Sequence, residues 1–170
     1  WLPKFKMSEL ILIAAVSENN VIGNRGEIPW SIPEDMKRFR ELTIEHPVIM
    51  GRKTYESIPE KFRPLHERTN IVISRAKTNE DYAGLIIICG SVDDAVREAS
   101  QLDKICYVAG GSQIYEQTIS LANRLEITEV HRHFEGDKFF PQIATQIWNE
   151  TFRENHKGYS FVTYIRNIRK

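Results

Sequence analysis

Asp35 lies in the stretch Ile28-Pro29-Trp30-Ser31-Ile32-Pro33-Glu34-Asp35-Met36-Lys37-Arg38-Phe39. Helical spacing there predicts one face carrying Asp35 with Met36 and Phe39 as apolar neighbours. An acid on an apolar face is costly unless it binds something polar. Such a carboxyl could recognise or protonate a buried ligand, or it could complement the positive end of its own helix. Burial would raise its pKa above the free value of ~3.9 and the helix dipole would lower it, so the sequence leaves the net direction open.

Three further segments suit anions. Met50-Gly51-Arg52-Lys53-Thr54 ends a strand in glycine and opens a helix with two cations and a hydroxyl. The free N–H groups of a helix start favour an anion, although solvated charges beside a turn would read the same way. Ser74-Arg75 closes the next strand with a similar pair, and two such strand ends together suggest a multiply charged phosphate. Val108-Ala109-Gly110-Gly111-Ser112-Gln113-Ile114-Tyr115 again passes from strand through glycines into helix. Glycines let the backbone approach a ligand, and the following helix start suits a pyrophosphate. The motif is not GxGxxG; its weight comes from its place in a series of strand-to-helix turns. Arg68, just before a strand, offers either a bidentate clamp for a carboxylate or a plain surface guanidinium. His131-x-His133 would put two imidazoles on one strand face, but no third ligand is near and no metal is expected.

The elements that must position these groups follow from apolar, β-branched runs at 9–16, 47–50, 69–74, 85–89, 104–109 and 125–131. Residues 151–156 and 159–168 read as a hairpin with Lys157-Gly158 at its turn. Helical patterns occupy 33–42, 54–58, 92–101 and 112–120. Ser31 and Glu34 have capping-box spacing for the first, and Ser91 is the expected cap of the third. The predicted fold is therefore α/β and single-domain. It has a central, mostly parallel eight-stranded sheet, a C-terminal antiparallel hairpin and about four flanking helices. In such sheets ligands bind beyond the carboxyl ends of the strands.

The chain of 170 residues is long enough for one real core. Lys+Arg and Asp+Glu are equal at 23, so charge gives no reason to expect nucleic acid or an anionic membrane as partner. No apolar run approaches the ~20 residues of a membrane span. Cys89 and Cys106 sit in strand-like contexts and are expected as reduced thiols of a cytoplasmic protein. Residues 1–8 read as an N-terminal extension or tag, with Met7 as a possible start, and 9–170 as the folded domain.

Taken in order, the motifs resemble those of the dihydrofolate reductase family across nearly the whole chain. The matching pieces are Ile13-Ala14-Ala15-Val16, Val21-Ile22-Gly23, Ile28-Pro29-Trp30, Asp35 and the run from Pro47 to Thr54. They continue through Glu56-Ser57-Ile58, Arg63-Pro64-Leu65, Arg68-x-Asn70, Ser74-Arg75, Gly110-Gly111, Tyr115, Thr128 and Glu135-Gly136-Asp137. The resemblance implies hydride transfer from NADPH to pterin C6 of 7,8-dihydrofolate, with protonation of N5. The product is tetrahydrofolate for one-carbon metabolism and thymidylate synthesis. It implies that Asp35 pairs with the pterin, and that Trp30 and Thr128 orient Asp35 and a water.

The resemblance also puts Ile13, Ala15, Met36, Phe39, Ser57, Ile58, Leu65, Ala109 and Thr128 around the substrate. Arg68 is expected on its glutamate carboxylate. Ala15, Ile22, Gly23 and Ala109 would meet the nicotinamide half. Gly51, Arg52, Lys53, Thr54, Ser74 and Arg75 would bind the adenosine side. Gly110, Gly111, Ser112, Gln113, Ile114 and Tyr115 would wrap the pyrophosphate, with a cis peptide between the glycines. Residues 19–28 would form a closing loop, and the protein would act as a monomer. Ala109, Ile28, His66-Glu67 and Gln113 depart from common family residues and bear on affinity rather than on catalysis. A related pteridine or riboflavin-pathway reductase, or a non-catalytic nucleotide-binding module, is the alternative; Arg68 together with Asp35 disfavours the first.

Overall fold

A computed structural model describes residues 7–168. The predicted extension falls largely on residues 1–6, outside the described residues; Ser8 is within them and bonds to Ser100 and to the Asp103 carbonyl. Strands β1 (Glu9–Ser17), β2 (Val21–Gly23), β3 (Pro47–Gly51), β4 (Thr69–Ile73), β5 (Ile87–Cys89), β6 (Ile105–Val108) and β7 (Arg124–Val130) precede β8 (Lys138–Phe139), β9 (Trp148–His156) and β10 (Tyr159–Arg166). Helices α1 (Pro33–Thr43), α2 (Arg52–Ser57), α3 (Val92–Leu102) and α4 (Ser112–Thr118) lie between them.

The main sheet runs β5-β4-β3-β6-β1-β7-β10-β9. Pairing is parallel from β5 to β7 and antiparallel from β7 through β10 to β9, as predicted. β2 and β8 form a separate two-strand ribbon that the sequence reading did not separate from its loops. The strand predicted through His131 stops at Val130, so His131 and His133 lie in the bend beyond it. Their ring nitrogens face Ser160 and Glu18 respectively.

Period-two alternation splits the core between the two sheet faces. Leu10, Leu12 and Val16 pack with α3 and α4 residues, including Val96, Ala99, Ile114 and Tyr115. Ile11 and Ile13 pack on the other face with Val48, Met50 and Tyr55, against Phe39 and Leu42 of α1. Ser91 caps α3 as expected, its hydroxyl accepting from the Asp94 N–H at 3.1 Å. The capping box on α1 does not form. Pro33 holds the residue before it extended, so Ile32 becomes the N-cap at φ −129° and Ser31 falls outside the helix.

Candidate active site

Parallel strands bring the carboxyl ends of β1, β3, β4, β6 and β7 into one row. On the α1 face, Ala15 is level with Thr128 and Ile13 with Glu126. Ala109 follows β6, its N–H donating to the Ile49 carbonyl at 2.9 Å. Small side chains at Ala15 and Ala109 leave room above this row.

Asp35 enters from the first turn of α1. The Thr128 hydroxyl donates to its Oδ1 at 2.5 Å. Burial pushes the Asp35 pKa up, against the opposing pull of that hydrogen bond and of the Arg38 charge. Desolvation therefore outweighs the Thr128 hydrogen bond and the Arg38 charge, and the net direction is upward. The apolar frame expected around the acid is only half present. Phe39, one turn on, packs with Ile58, Leu65 and Ala109 against the second core. Met36 stands about 100° around the helix from Asp35 and is 74 % exposed. Trp30 is half-buried and packs on Phe134, ring centres 5.1 Å apart, with Thr128 rather than Trp30 as the direct partner of the acid.

The carboxylate-clamp candidate is assembled by a loop. Buried Asn70 accepts from the Leu65 N–H and donates to the carbonyls of Leu65 and Arg68. Arg68 then reaches back to the His66 carbonyl and the Thr43 hydroxyl and lies over Phe39. Among the described residues no carboxylate forms an ion pair with it. Burial and the nearby Arg40 pull its pKa down, so an added anion there is favoured. Ser57 is exposed at the end of α2, its hydroxyl donating to the Thr54 carbonyl.

The glycine turns meet side by side. The Gly51 N–H donates to the Gly110 carbonyl at 2.9 Å. A Cβ on Gly111 would stand 3.4 Å from the Thr54 hydroxyl, and one on Gly110, at φ +106°, 3.1 Å from the Tyr115 ring. The Gly110–Gly111 peptide is cis, as the resemblance implied. Gly51 is level with Ile73, which places Arg52 and Lys53 next to Ser74 and Arg75. This cradle of bare backbone and cations fits a dinucleotide phosphate.

Three of the expected cofactor residues have other immediate partners. Arg52 is paired with Glu56 at 2.9 Å, and that carboxylate also accepts from Tyr82, whose hydroxyl is pushed up to about 12. Ile114 and Tyr115 are buried: Ile114 packs toward Gly51, and Tyr115 donates to the Ile13 carbonyl at 2.6 Å. Their side chains therefore brace the turn, leaving half-buried Gly111 and Ser112 and exposed Gln113 at its surface over buried Gly110.

The segment containing Ile22 and Gly23 is tied to the loop after β7. Asn19 exchanges two bonds with the Phe134 backbone, and the Asp137 N–H donates to the Gly23 carbonyl. Gly136 is required there, since a Cβ would stand 2.3 Å from Val21. Asn24 and Glu27 close a tight turn through Arg25 and Gly26, both at positive φ, and Ile28 beyond it is 64 % exposed. Sequence reading missed Asn70 as the loop's organiser and missed Arg38 and Glu126, whose only signal was a cation one turn beyond the acid.

The family profile described as dihydrofolate reductase covers residues 9–166. The dihydrofolate reductase of Neisseria meningitidis serogroup A is 41 % identical, over 94 % of this chain and 99 % of its own. Dihydrofolate reductase HdrB of Haloferax volcanii is 40 % identical, over 92 % and 82 %. The solved Enterococcus faecalis dihydrofolate reductase, complexed with NADP(H) and RAB-propyl, superposes with a TM-score of 0.80 at 32 % identity, covering 96 % of this chain and 100 % of that one. A profile match over nearly the whole chain and relatives at about 40 % identity place the chain in the dihydrofolate reductase family.

Proposed function

We propose that Asp35 is the single acid of a site that reduces 7,8-dihydrofolate with NADPH. The observation that carries the reading is a half-buried carboxyl at the mouth of the sheet, held by one hydroxyl and raised in pKa by burial. A group poised in this way can hold a polar heterocycle and favour its protonated form. Asp35 pairs with the pterin amino group and ring nitrogen and favours the tautomer that takes a proton at N5. Thr128 fixes the carboxyl's orientation, and Trp30 walls the site on the Phe134 side. Water delivers the proton. Bound NADPH supplies the hydride that C6 accepts.

Ile13, Ala15, Phe39, Ile58, Leu65 and Ala109 hold the ring system, with Met36 and Ser57 at the rim. Arg68 takes the glutamate carboxylate. Gly51, Thr54, Gly110, Gly111, Ser112 and Gln113 hold the pyrophosphate region, braced by Ile114 and Tyr115. Arg52, Lys53, Ser74 and Arg75 favour a 2′-phosphate. Ile22 and Gly23 lie beside the nicotinamide, and the 19–28 loop excludes water from it. Two unpaired thiols, one of them buried Cys106, support a reducing, cytoplasmic setting.

Mixing the protein with NADPH and 7,8-dihydrofolate should bleach the reduced-nicotinamide absorbance. Omitting either ligand should abolish the loss. No oxidation with both present, or equal oxidation without dihydrofolate, would remove this function.

A further inference from the structure

Arg38 and Glu126 form a second rung between α1 and β7, below the one made by Asp35 and Thr128. Arg38 stands one turn after Asp35, and Glu126 stands two residues before Thr128 on the same strand face. Arg38 Nη2 meets Glu126 Oε2 at 2.9 Å, with side-chain exposures of 18 % and 6 %. The same Glu126 oxygen accepts from Thr163 of β10, and its other oxygen faces Arg124 at 3.2 Å. The Arg38 guanidinium also lies 4.6 Å over the ring of Phe161, which is the cross-strand neighbour of Thr128. The ion pair of this arginine falls on β7, the strand that carries the acid's partner, and its ring contact on the neighbouring β10.

We propose that the buried Arg38–Glu126 pair is a positioning and charge-setting device for Asp35, with Arg38 supplying the nearby positive charge and Glu126 holding it at a fixed distance. The inference rests on Asp35 being the acid of the reductase site. A buried ion pair is a poor source of stability, since desolvation offsets its attraction, and it acts best as a geometric lock. Few other charges compete for influence on Asp35. Glu34 precedes it on α1, and Tyr115 of α4 and Tyr159 of β10 face it with hydroxyls that burial keeps neutral at working pH.

The two partners make opposite predictions. Removing Arg38 strips a positive charge and leaves Glu126 exposed to Asp35, so protonation at the site becomes easier. Removing the Glu126 charge leaves Arg38 unneutralised, so protonation becomes harder. The experiment is the pH profile of dihydrofolate turnover in Arg38→Met, Arg38→Lys, Glu126→Gln and Asp35→Asn, each with its thermal midpoint. Arg38→Met should move the profile's midpoint upward, and Glu126→Gln downward, each by about half a pH unit or more at an effective dielectric of about 20 to 40. Arg38→Lys should restore the wild-type midpoint even if the protein is less stable.

Shifts of the same sign, or losses of stability and kcat with both midpoints unmoved, would reduce the pair to a structural brace and overturn the proposal. Should Arg38→Met fail to fold around an unpaired Glu126, Glu126→Gln decides alone: a lower midpoint supports the device, and an unmoved or higher one refutes it. Asp35→Asn separates the two readings. If it keeps the wild-type rate and profile, Asp35 is not the acid. If it loses turnover while the charge variants leave the midpoint in place, only the ion-pair device fails.

Discussion

Thr128→Val removes one oxygen from the only hydrogen bond that a side chain gives Asp35 among the described residues, and keeps the shape of the side chain. Thr128 is 2 % exposed, so no water takes the vacated place easily. A hydrogen bond to a charged group contributes about 1.5–3 kcal/mol. Because the hydroxyl donates, it favours the ionised carboxyl, and its loss should raise the Asp35 pKa by about 1 to 2 pH units at ~1.36 kcal/mol each. The folded-state pKa is already above its unfolded value. Protonated Asp35 therefore favours folding at low pH, and that contribution is lost as pH rises through the folded pKa. Thr128→Val should widen this difference. Its destabilisation relative to wild type should be largest above the folded-state pKa and fade as pH falls below it. The assay is chemical denaturation at several pH values, repeated in an Asp35→Asn background where the pH-dependent part should vanish. Equal destabilisation at every pH, or pH dependence that survives Asp35→Asn, would refute the coupling.

Other consequences follow from the same geometry. Arg68→Leu removes a guanidinium that no carboxylate ion-pairs with among the described residues, and should raise the KM for dihydrofolate about 10- to 100-fold while the KM for NADPH stays put; steady-state kinetics on both ligands checks this. Gly136→Ala forces a Cβ into Val21 and the Gly23 carbonyl, which should cost about 1–3 kcal/mol locally and lower turnover through the closing loop. Stopped-flow fluorescence of cofactor binding together with thermal melting would detect it. Arg75→Gln removes an exposed cation beside the Gly51 turn, and should weaken NADPH several-fold, ~3- to 10-fold, at low salt and leave NADH unaffected. Titration of both nucleotides at two salt concentrations distinguishes these outcomes.

The phosphate-ready turns were legible because their residue types are local signals: Gly51 before two cations, Ser74-Arg75 after a β-branched run, and Gly110-Gly111 before a helix. The parallel sheet followed from the same alternation. The start of α1 at Pro33 was legible, but its cap was not: Ser31 and Glu34 have capping-box spacing, while the extended residue before Pro33, Ile32, is the N-cap and no side chain caps the helix. Met36 was assigned to the acid's face by adjacency, but a 100° step carries it into the open. β2 and β8 were too short to produce a periodic pattern. Arg38 and Glu126 are 88 residues apart, and only the folded register reveals that they share a rung. The pKa of Asp35 needed its burial, which no local window contains.

The most direct test is the pH profile of Asp35→Asn with saturating NADPH and dihydrofolate. Asparagine keeps the shape but carries no charge and exchanges one acceptor oxygen for an NH2 donor. NADPH affinity should be unchanged. Turnover at neutral pH should fall by orders of magnitude, ~10²-fold or more. It should recover in part as pH drops, because substrate protonated in solution no longer needs the acid. A variant that turns over dihydrofolate at the wild-type rate across the pH range would contradict the assignment of Asp35 as the acid on which the site is built.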